Sequence, residues 1–317
     1  MRLKRQFGRI PKSASFYRFA GLCLLLLLIS CAEDQGNETT NANPNNESKF
    51  ALLISNSNEE ATGDGKSLFS YSIDTISGLP SFFGSNVSDY IPPNVVSITA
   101  SSTGEFVYLA TEDDLLYSYT TGQEPGFLLS IDTPINAAPP EYADYPDYSI
   151  VMDPLDEFLY VIGYYTVTNE EQEEEEKSII ETFSRDKQNG LLTLKDIETS
   201  FAGRMYQLEF SPSGEYAYGA TQTQAVGESP AGVLNIFKFD RIAGTFDLIS
   251  SVSFRGWTVA PFHPITIDPT GKFLYLVESA GFCEIPPDPK TFVQNGSRII
   301  TYLIDYNRPG FHTHFAT

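Results

Sequence analysis

The phrase Ser211-Pro-Ser-Gly-Glu-Tyr-Ala-Tyr218 recurs along this 317-residue chain, and no other feature constrains the fold as much. Its other copies are Ser101-Ser-Thr-Gly-Glu-Phe-Val-Tyr108, Asp153-Pro-Leu-Asp-Glu-Phe-Leu-Tyr160 and Asp268-Pro-Thr-Gly-Lys-Phe-Leu-Tyr275. Successive copies are 52, 58 and 57 residues apart. Self-similarity at a period of this size means stacked supersecondary units, each too small to bury its own apolar face alone.

One copy shows how the unit is built. Tyr206 to Phe210 alternates apolar and polar residues, as a half-buried strand does. Ser211-Pro-Ser-Gly214 has the composition of a type I turn, and Asp268-Pro-Thr-Gly271 repeats it. The strand that follows (Tyr216 to Ala220, with counterparts at Phe106 to Ala110, Phe158 to Ile162 and Phe273 to Val277) is apolar on both faces. Radial packing of sheets demands such a strand. A third strand runs from Val233 to Phe239, with partners at 68–73, 179–183 and 298–304, and a fourth from Phe246 to Val252. Between the third and fourth strands, Asp stands four residues before Gly at Asp74/Gly78, Asp186/Gly190 and Asp240/Gly244. The reading is an all-β fold, a β-propeller of four-stranded antiparallel blades, in preference to a β-sandwich or solenoid. About five blades are present: one starting with its second strand at Phe50, three full ones, and a last closed by a strand within 309–317. Seven blades of this period would need roughly 390 residues, so the sequence reads as an incomplete seven-bladed ring shortened at its C-terminus, in preference to an unusual five-bladed ring lacking a strand.

The first and third turns of each unit are tight, and lie at one end of the meander. The second turns (163–178, 221–232, 278–297) and the connectors 132–147 and 254–262 are long, and lie at the other. Function sits on loops carried by a rigid scaffold, so the long-loop end is the expected ligand face.

The ends of the chain carry an address. Arg2, Lys4, Arg5, Arg9, Lys12 and Arg18 precede an apolar run, 19–29, that is too short to span a membrane, the pattern of a signal peptide. It ends in Leu28-Ile29-Ser30-Cys31, which resembles the lipobox of bacterial lipoproteins. That resemblance implies cleavage after a 1–30 leader, a diacylated Cys31, and a lipid bilayer as partner. Several acyl chains anchor stably where one does not. Ala32 after the cysteine implies the outer membrane of the cell envelope by the enterobacterial sorting rule. Residues 31–48 form a polar tether with nothing to bury, and 49–317 is the folded body. Without the leader the chain has 14 Lys and Arg against 41 Asp and Glu, a net charge of −27. Such a surface repels nucleic acid, which is excluded as a partner. Cys283 is the one cysteine left in the body, so no internal disulfide is expected.

The signature Pro-x-Gly-Lys-Phe-Leu-Tyr-x-Val, followed by an Ile-x-x-Tyr-x-Ile-Asp strand, resembles the lactonase-type propellers, which include 6-phosphogluconolactonase and carboxymuconate-lactonizing enzymes. The likeness covers about 50–310. Family members that act on lactones enter one blade with Pro-Arg-His and end its second strand with Glu. Pro261-Phe262-His263 and Glu278 occupy those positions. The resemblance implies His263 as acid and Glu278 as base or orienter, the two candidate catalytic residues. The substrate-holding arginine is replaced by Phe262, and Tyr206 stands where the family usually begins the preceding blade with His. An arginine would hold an anionic substrate by charge-assisted pairing, so its loss weighs against lactonase chemistry. Two readings follow: a binding module for a protein or carbohydrate ligand, or a lactone hydrolase. Tyr206, Trp257 and Phe262 are the ligand-face candidates, with Tyr142, Tyr145 and Tyr148 as further aromatic residues on connectors. No cofactor and no metal is expected. The acidic run Glu170 to Glu176 reads as a solvated loop, His312-x-His314 lacks further ligands, and Cys283 has no base beside it.

Overall fold

In the computed structural model the described residues are 27–30, 49–54, 68–74, 77, 79–84, 92, 95–122, 127–137, 149–168, 174–223, 231–254, 258–259, 264–279, 298–304 and 313–316. They form five antiparallel sheets arranged as a β-propeller. Blade one is β1 (Leu27–Ser30), β2 (Lys49–Ile54), β3 (Leu68–Ile73) and β4 (Pro80–Gly84). Blade two is β5 (Val95–Ala100), β6 (Phe106–Thr111), β7 (Leu115–Thr121) and β8 (Leu128–Ser130), with β9 (Ile135–Asn136) also on β7. Blade three is β10 (Ser149–Met152), β11 (Phe158–Thr168), β12 (Glu174–Arg185) and β13 (Leu192–Glu198). Blade four is β14 (Arg204–Phe210), β15 (Tyr216–Thr223), β16 (Ala231–Asp240) and β17 (Thr245–Phe254). In blade five, β18 (Thr258–Val259) and β19 (Ile265–Ile267) both pair with β20 (Phe273–Ser279), followed by β21 (Arg298–Leu303) and β22 (Thr313–Ala316).

Four elements differ from the sequence reading: β9 and β18 are paired strands within the connectors 132–147 and 254–262 read as loops, and two further differences fall in blades one and three. Blade one has a first strand: β1 pairs Leu27 with Leu52 and Ser30 with Lys49, although it falls in the stretch read as leader. The second turn of blade three is not a long loop. Pairing of β11 with β12 continues to Thr168↔Glu174, so Glu174, Glu175 and Glu176 of the acidic run are strand residues. Tyr164, Tyr165, Thr166, Val167 and Thr168 explain this, since aromatic and β-branched residues favour an extended chain.

The recurring phrase is a turn that caps itself. Its first residue accepts the N–H five positions on: Phe106 N to Ser101 Oγ (3.1 Å), Phe158 N to Asp153 Oδ1 (2.6 Å), Tyr216 N to Ser211 Oγ (3.1 Å), Phe273 N to Asp268 Oδ1 (2.6 Å). Only Ser and Asp occupy that position because it needs a short acceptor. The fourth residue has positive φ in every copy: Gly104, Asp156, Gly214 and Gly271.

The strand after the turn is buried on both faces. On β6, Phe106, Tyr108 and Ala110 pack with blade three, while Val107 and Leu109 pack with blade one. On β11, Phe158, Tyr160 and Ile162 face blade four, and Leu159 and Val161 face blade two. On β15, Tyr216, Tyr218 and Ala220 face blade five. The aromatic residues do more than fill space. The Tyr108 hydroxyl donates to the Gly190 carbonyl (2.9 Å), and the Tyr160 hydroxyl to that of Gly244 (3.1 Å). Both acceptors belong to the Asp-x-x-x-Gly turn of the next blade. Those glycines need positive φ, and they also need to lack a side chain. A Cβ on Gly190 would lie 2.2 Å from the Phe106 ring, and one on Gly244 would lie 3.1 Å from the Phe158 ring. Each Phe-x-Tyr thus latches its blade onto the third turn of its neighbour.

Unfolding in urea should therefore rank the two glycines. Gly190→Ala should cost roughly 2–4 kcal/mol, combining left-handed backbone strain with overpacking, whereas Gly244→Ala should cost about 1–2 kcal/mol, mostly strain. Tyr108→Phe, which strands the buried Gly190 carbonyl, should cost about 1–2 kcal/mol. Equal costs for the two glycines would show that the Phe106 contact is not structural.

Candidate functional site

At the end of the propeller that carries the second turns and connectors, the densest described polar cluster lies between blades three and four. It is built from the backbone outward. The Ser178 N–H donates to the Phe201 carbonyl (2.8 Å), and the Gly203 N–H donates to the Glu176 carbonyl (2.8 Å). The Ser178 hydroxyl donates to the Gly203 carbonyl (2.6 Å) and accepts from the Met205 N–H (2.9 Å). These bonds clamp the connector 199–203 onto β12. Gly203 has φ of 84°, and a Cβ there would meet the Gln222 carbonyl at 2.5 Å, so no other residue fits. The clamp places Arg204 between Glu176 and Tyr164. Its guanidinium is ion-paired with the Glu176 carboxylate and stacks over the Tyr164 ring at 4.3 Å. Beside it, the Tyr206 hydroxyl donates to Gln222 Oε1 (3.2 Å).

Of the residues singled out from sequence, Tyr206 is half-buried at a bulge of β14 between Met205 and Gln207. Glu278 is in β20, its backbone paired with Val259 on one side and Arg298 on the other. Cys31, Trp257, Phe262 and His263 lie outside the described residues. Val259 pairs with Glu278 and Ile265 with Leu276. Counting along the repeat, His263 precedes Pro264 as Tyr206 precedes Gln207, and Glu278 holds the position that Thr221 holds in blade four.

Two acids escaped the sequence reading. Glu209 lies on β14, the inner strand of blade four, two residues from Gln207. Gln207 accepts the Ile265 N–H of blade five (3.0 Å), and its amide donates to Glu209 (3.4 Å). Burial pushes the Glu209 carboxyl up to about 7, only partly opposed by the Gln207 hydrogen bond. Glu181, on β12, is 3% exposed and points toward blade two, and its Oε2 is buried with no hydrogen-bond partner among the described residues. Burial, reinforced by the charge of Asp114, pushes its carboxyl up to about 8. Both sit where an inner or third strand shows ordinary alternation, so only the identity of the facing blade reveals that they are desolvated.

No family model matches this chain, and no curated protein matches it. Solved structures do. One is a Bacteroides uniformis protein provisionally assigned as a 6-phosphogluconolactonase, 16% identical, with a TM-score of 0.46 over 84% of this chain and 81% of that one. A hypothetical selenium-binding protein from Sulfolobus tokodaii is 8% identical, with a TM-score of 0.47 over 85% of this chain and 64% of that one. The β-propeller domain of Cps50 (Swd1) from Myceliophteria thermophila is 13% identical, with a TM-score of 0.41 over 81% and 67%.

The buried acids set a pH dependence. Glu181 titrates in the fold at about 8 against an ordinary 4.5, so the folded state holds a proton that the unfolded chain has lost. Its contribution is intact below the ordinary value and is lost as pH rises toward 8, at up to about 1.4 kcal/mol per pH unit. Glu181→Gln should flatten the fall of melting temperature between pH 5 and 8 and raise the melting temperature at pH 8. An unchanged fall in the variant would mean that Glu181 is ionised in the fold across that range.

Proposed function

We propose that this chain is an exported lipoprotein, anchored through acylated Cys31 after loss of a leader that takes β1 of blade one with it, and that its lactonase-like propeller captures a neutral or basic ligand, a protein or a carbohydrate, on its long-loop end. One observation carries the reading. Arg204, a described cation on that end, is already neutralised by Glu176 and covered by Tyr164. With Phe262 in place of the family's arginine, the matched position lacks the cation that holds a phosphorylated or carboxylated lactone. A net charge of −27 outside the leader disfavours such substrates further. Tyr206, half-buried, offers what a binding face uses instead, an aromatic ring with a polar edge.

The lactone hydrolase reading has one observation in its favour, the match of Pro261, His263 and Glu278 to the family's sequence positions. His263 would protonate the leaving oxygen while Glu278 activates water. Such a pair supplies acid and base but not the arginine that holds the anion.

Incubation of the purified chain with 6-phosphogluconolactone and related lactones distinguishes the two. The expected result is hydrolysis at the uncatalysed rate, unchanged by His263→Ala. Turnover well above background that His263→Ala abolishes would establish the hydrolase. For the binding role, Tyr206→Ala should weaken capture of the ligand found on a panel of neutral oligosaccharides and basic peptides by about 3- to 10-fold, while His263→Ala leaves it unchanged. Intact mass of the membrane fraction should show an acylated N-terminal Cys31, and Cys31→Ser should release the protein from membranes.

A further inference from the structure

The fourth strand is the outer edge of its blade, and a free edge offers a row of backbone N–H and C=O groups to any strand that can pair with it. Four of the five blades blunt that edge. β4 has five residues and opens with Pro80, β8 has three residues, and β22 has four. β13 has seven residues but carries Lys195, Asp196 and Glu198. β17 is the exception, ten residues long with Asp247 as its one charge. No described strand pairs with its far side.

Blades three and four show the contrast residue by residue, because their fourth strands carry the same bulge. Leu194 pairs with Phe183 and Asp196 with Thr182, which leaves Lys195 over. Leu248 pairs with Phe237 and Ser250 with Ile236, which leaves Ile249 over. In this register Lys195, Asp196 and Glu198 of blade three correspond to Ile249, Ser250 and Val252 of blade four. Three charges are replaced by two apolar residues and a serine. Lys195 is also occupied, since it donates to the Ala243 carbonyl (2.6 Å). Ile249 and Leu248, by contrast, are 41% and 51% exposed. Thr245, Asp247, Ser251 and Ser253 are exposed as well.

We propose that the outer edge of β17 is a self-association site, on which β17 of a second copy of this chain adds antiparallel and joins two four-stranded sheets into one across a twofold axis. The charge pattern selects the occupant. The centre of an interface is depleted of charge, and 248–254 carries none. A basic extended segment would want acidic residues along the strand, and Asp247 alone is there. The strand answers itself better. Pairing about Ser250 sets Leu248 against Val252 and Asp247 against Ser253 of the other copy. The single charge then meets a hydroxyl and never its own image, which would repel it. The twofold occupies both edges at once, so association stops at the dimer.

Sedimentation velocity of the purified full chain between about 1 and 100 µM tests this, since an interface of one strand a side is small and associates weakly. The wild type should pass from monomer to dimer and stop. Ile249→Lys, which gives blade four the residue that blade three has, should stay monomeric with an unchanged melting temperature. Leu194→Lys, on the charged edge of blade three, should dimerise like the wild type. Raising salt from about 0.1 to 0.5 M should strengthen the dimer several-fold, because two copies of net charge −21 repel less when screened. Amide hydrogen exchange within 245–253 should slow at dimer-forming concentration. A wild type that is monomeric throughout overturns the proposal, as does a dimer that survives Ile249→Lys or is lost with Leu194→Lys. Association that salt weakens, or that leaves exchange within 245–253 unchanged, overturns it too. Should Ile249→Lys unfold, Leu248→Lys at its exposed neighbour carries the same test.

Discussion

The structure depends on the contact between a second strand and the third turn of the next blade. A sheet in a propeller has no layer of helices to cover it, so its two faces must be buried by its neighbours alone. The Phe-x-Tyr pair solves this in two ways at once. Its rings supply most of the apolar area, and the tyrosine hydroxyl reaches past them to a carbonyl that would otherwise be buried without a donor. Burial raises the Tyr108 hydroxyl to about 12 and raises Tyr160 as well, so both remain protonated donors wherever the protein folds. Charged groups brace the same seams from outside. Arg185 lies 5.3 Å from the centre of the Phe106 ring and donates to the Asp156 carbonyl (2.9 Å). Lys195 lies over the Phe158 ring and donates to Ala243 in the next blade.

Much of this was legible because the latch repeats. Asp or Ser at the first position of the phrase accepts the same N–H in all four copies, and the fourth residue, Gly or Asp156, takes positive φ in each, so the sequence states the turn several times over. Strand β3 spans 68–73 as read, and β22 supplies the fourth-type strand expected in the tail. The extension of β11 and β12 was hidden because an acidic run looks like a loop when its partner is ignored. Opposite it stand Thr166, Val167 and Thr168, and cross-strand pairing overrides the low strand propensity of glutamate. β1 was hidden for a related reason, since an apolar leader and an apolar inner strand have the same composition.

The candidate site was less legible than the fold. Tyr206 and Glu278 could be placed by counting from the repeat, and the structure keeps them at the strand ends that counting gave. The Arg204–Glu176–Tyr164 cluster could not be counted, because it joins a connector to a strand extension that neither blade shares with the others. In space the charge of Arg204 is answered within the protein by Glu176.

This contrast reflects how repetition distributes information. A bond made at every blade boundary leaves its trace at a fixed period, and averaging over copies raises that trace above the background of ordinary composition. A site is made once, at one boundary, by residues that depart from the pattern, and the same averaging erases it. The departures are therefore where function should be sought. Gln207 and Glu209 replace the small Ser97 and Thr99 of blade two on the inner strand, and Glu181 stands where blade four has Asn235, a residue satisfied by Thr221 and Ser251. Each substitution leaves the latch intact and changes only the chemistry beside it. A rigid propeller tolerates such changes because its stability resides in the seams, which leaves the remaining positions free to diverge.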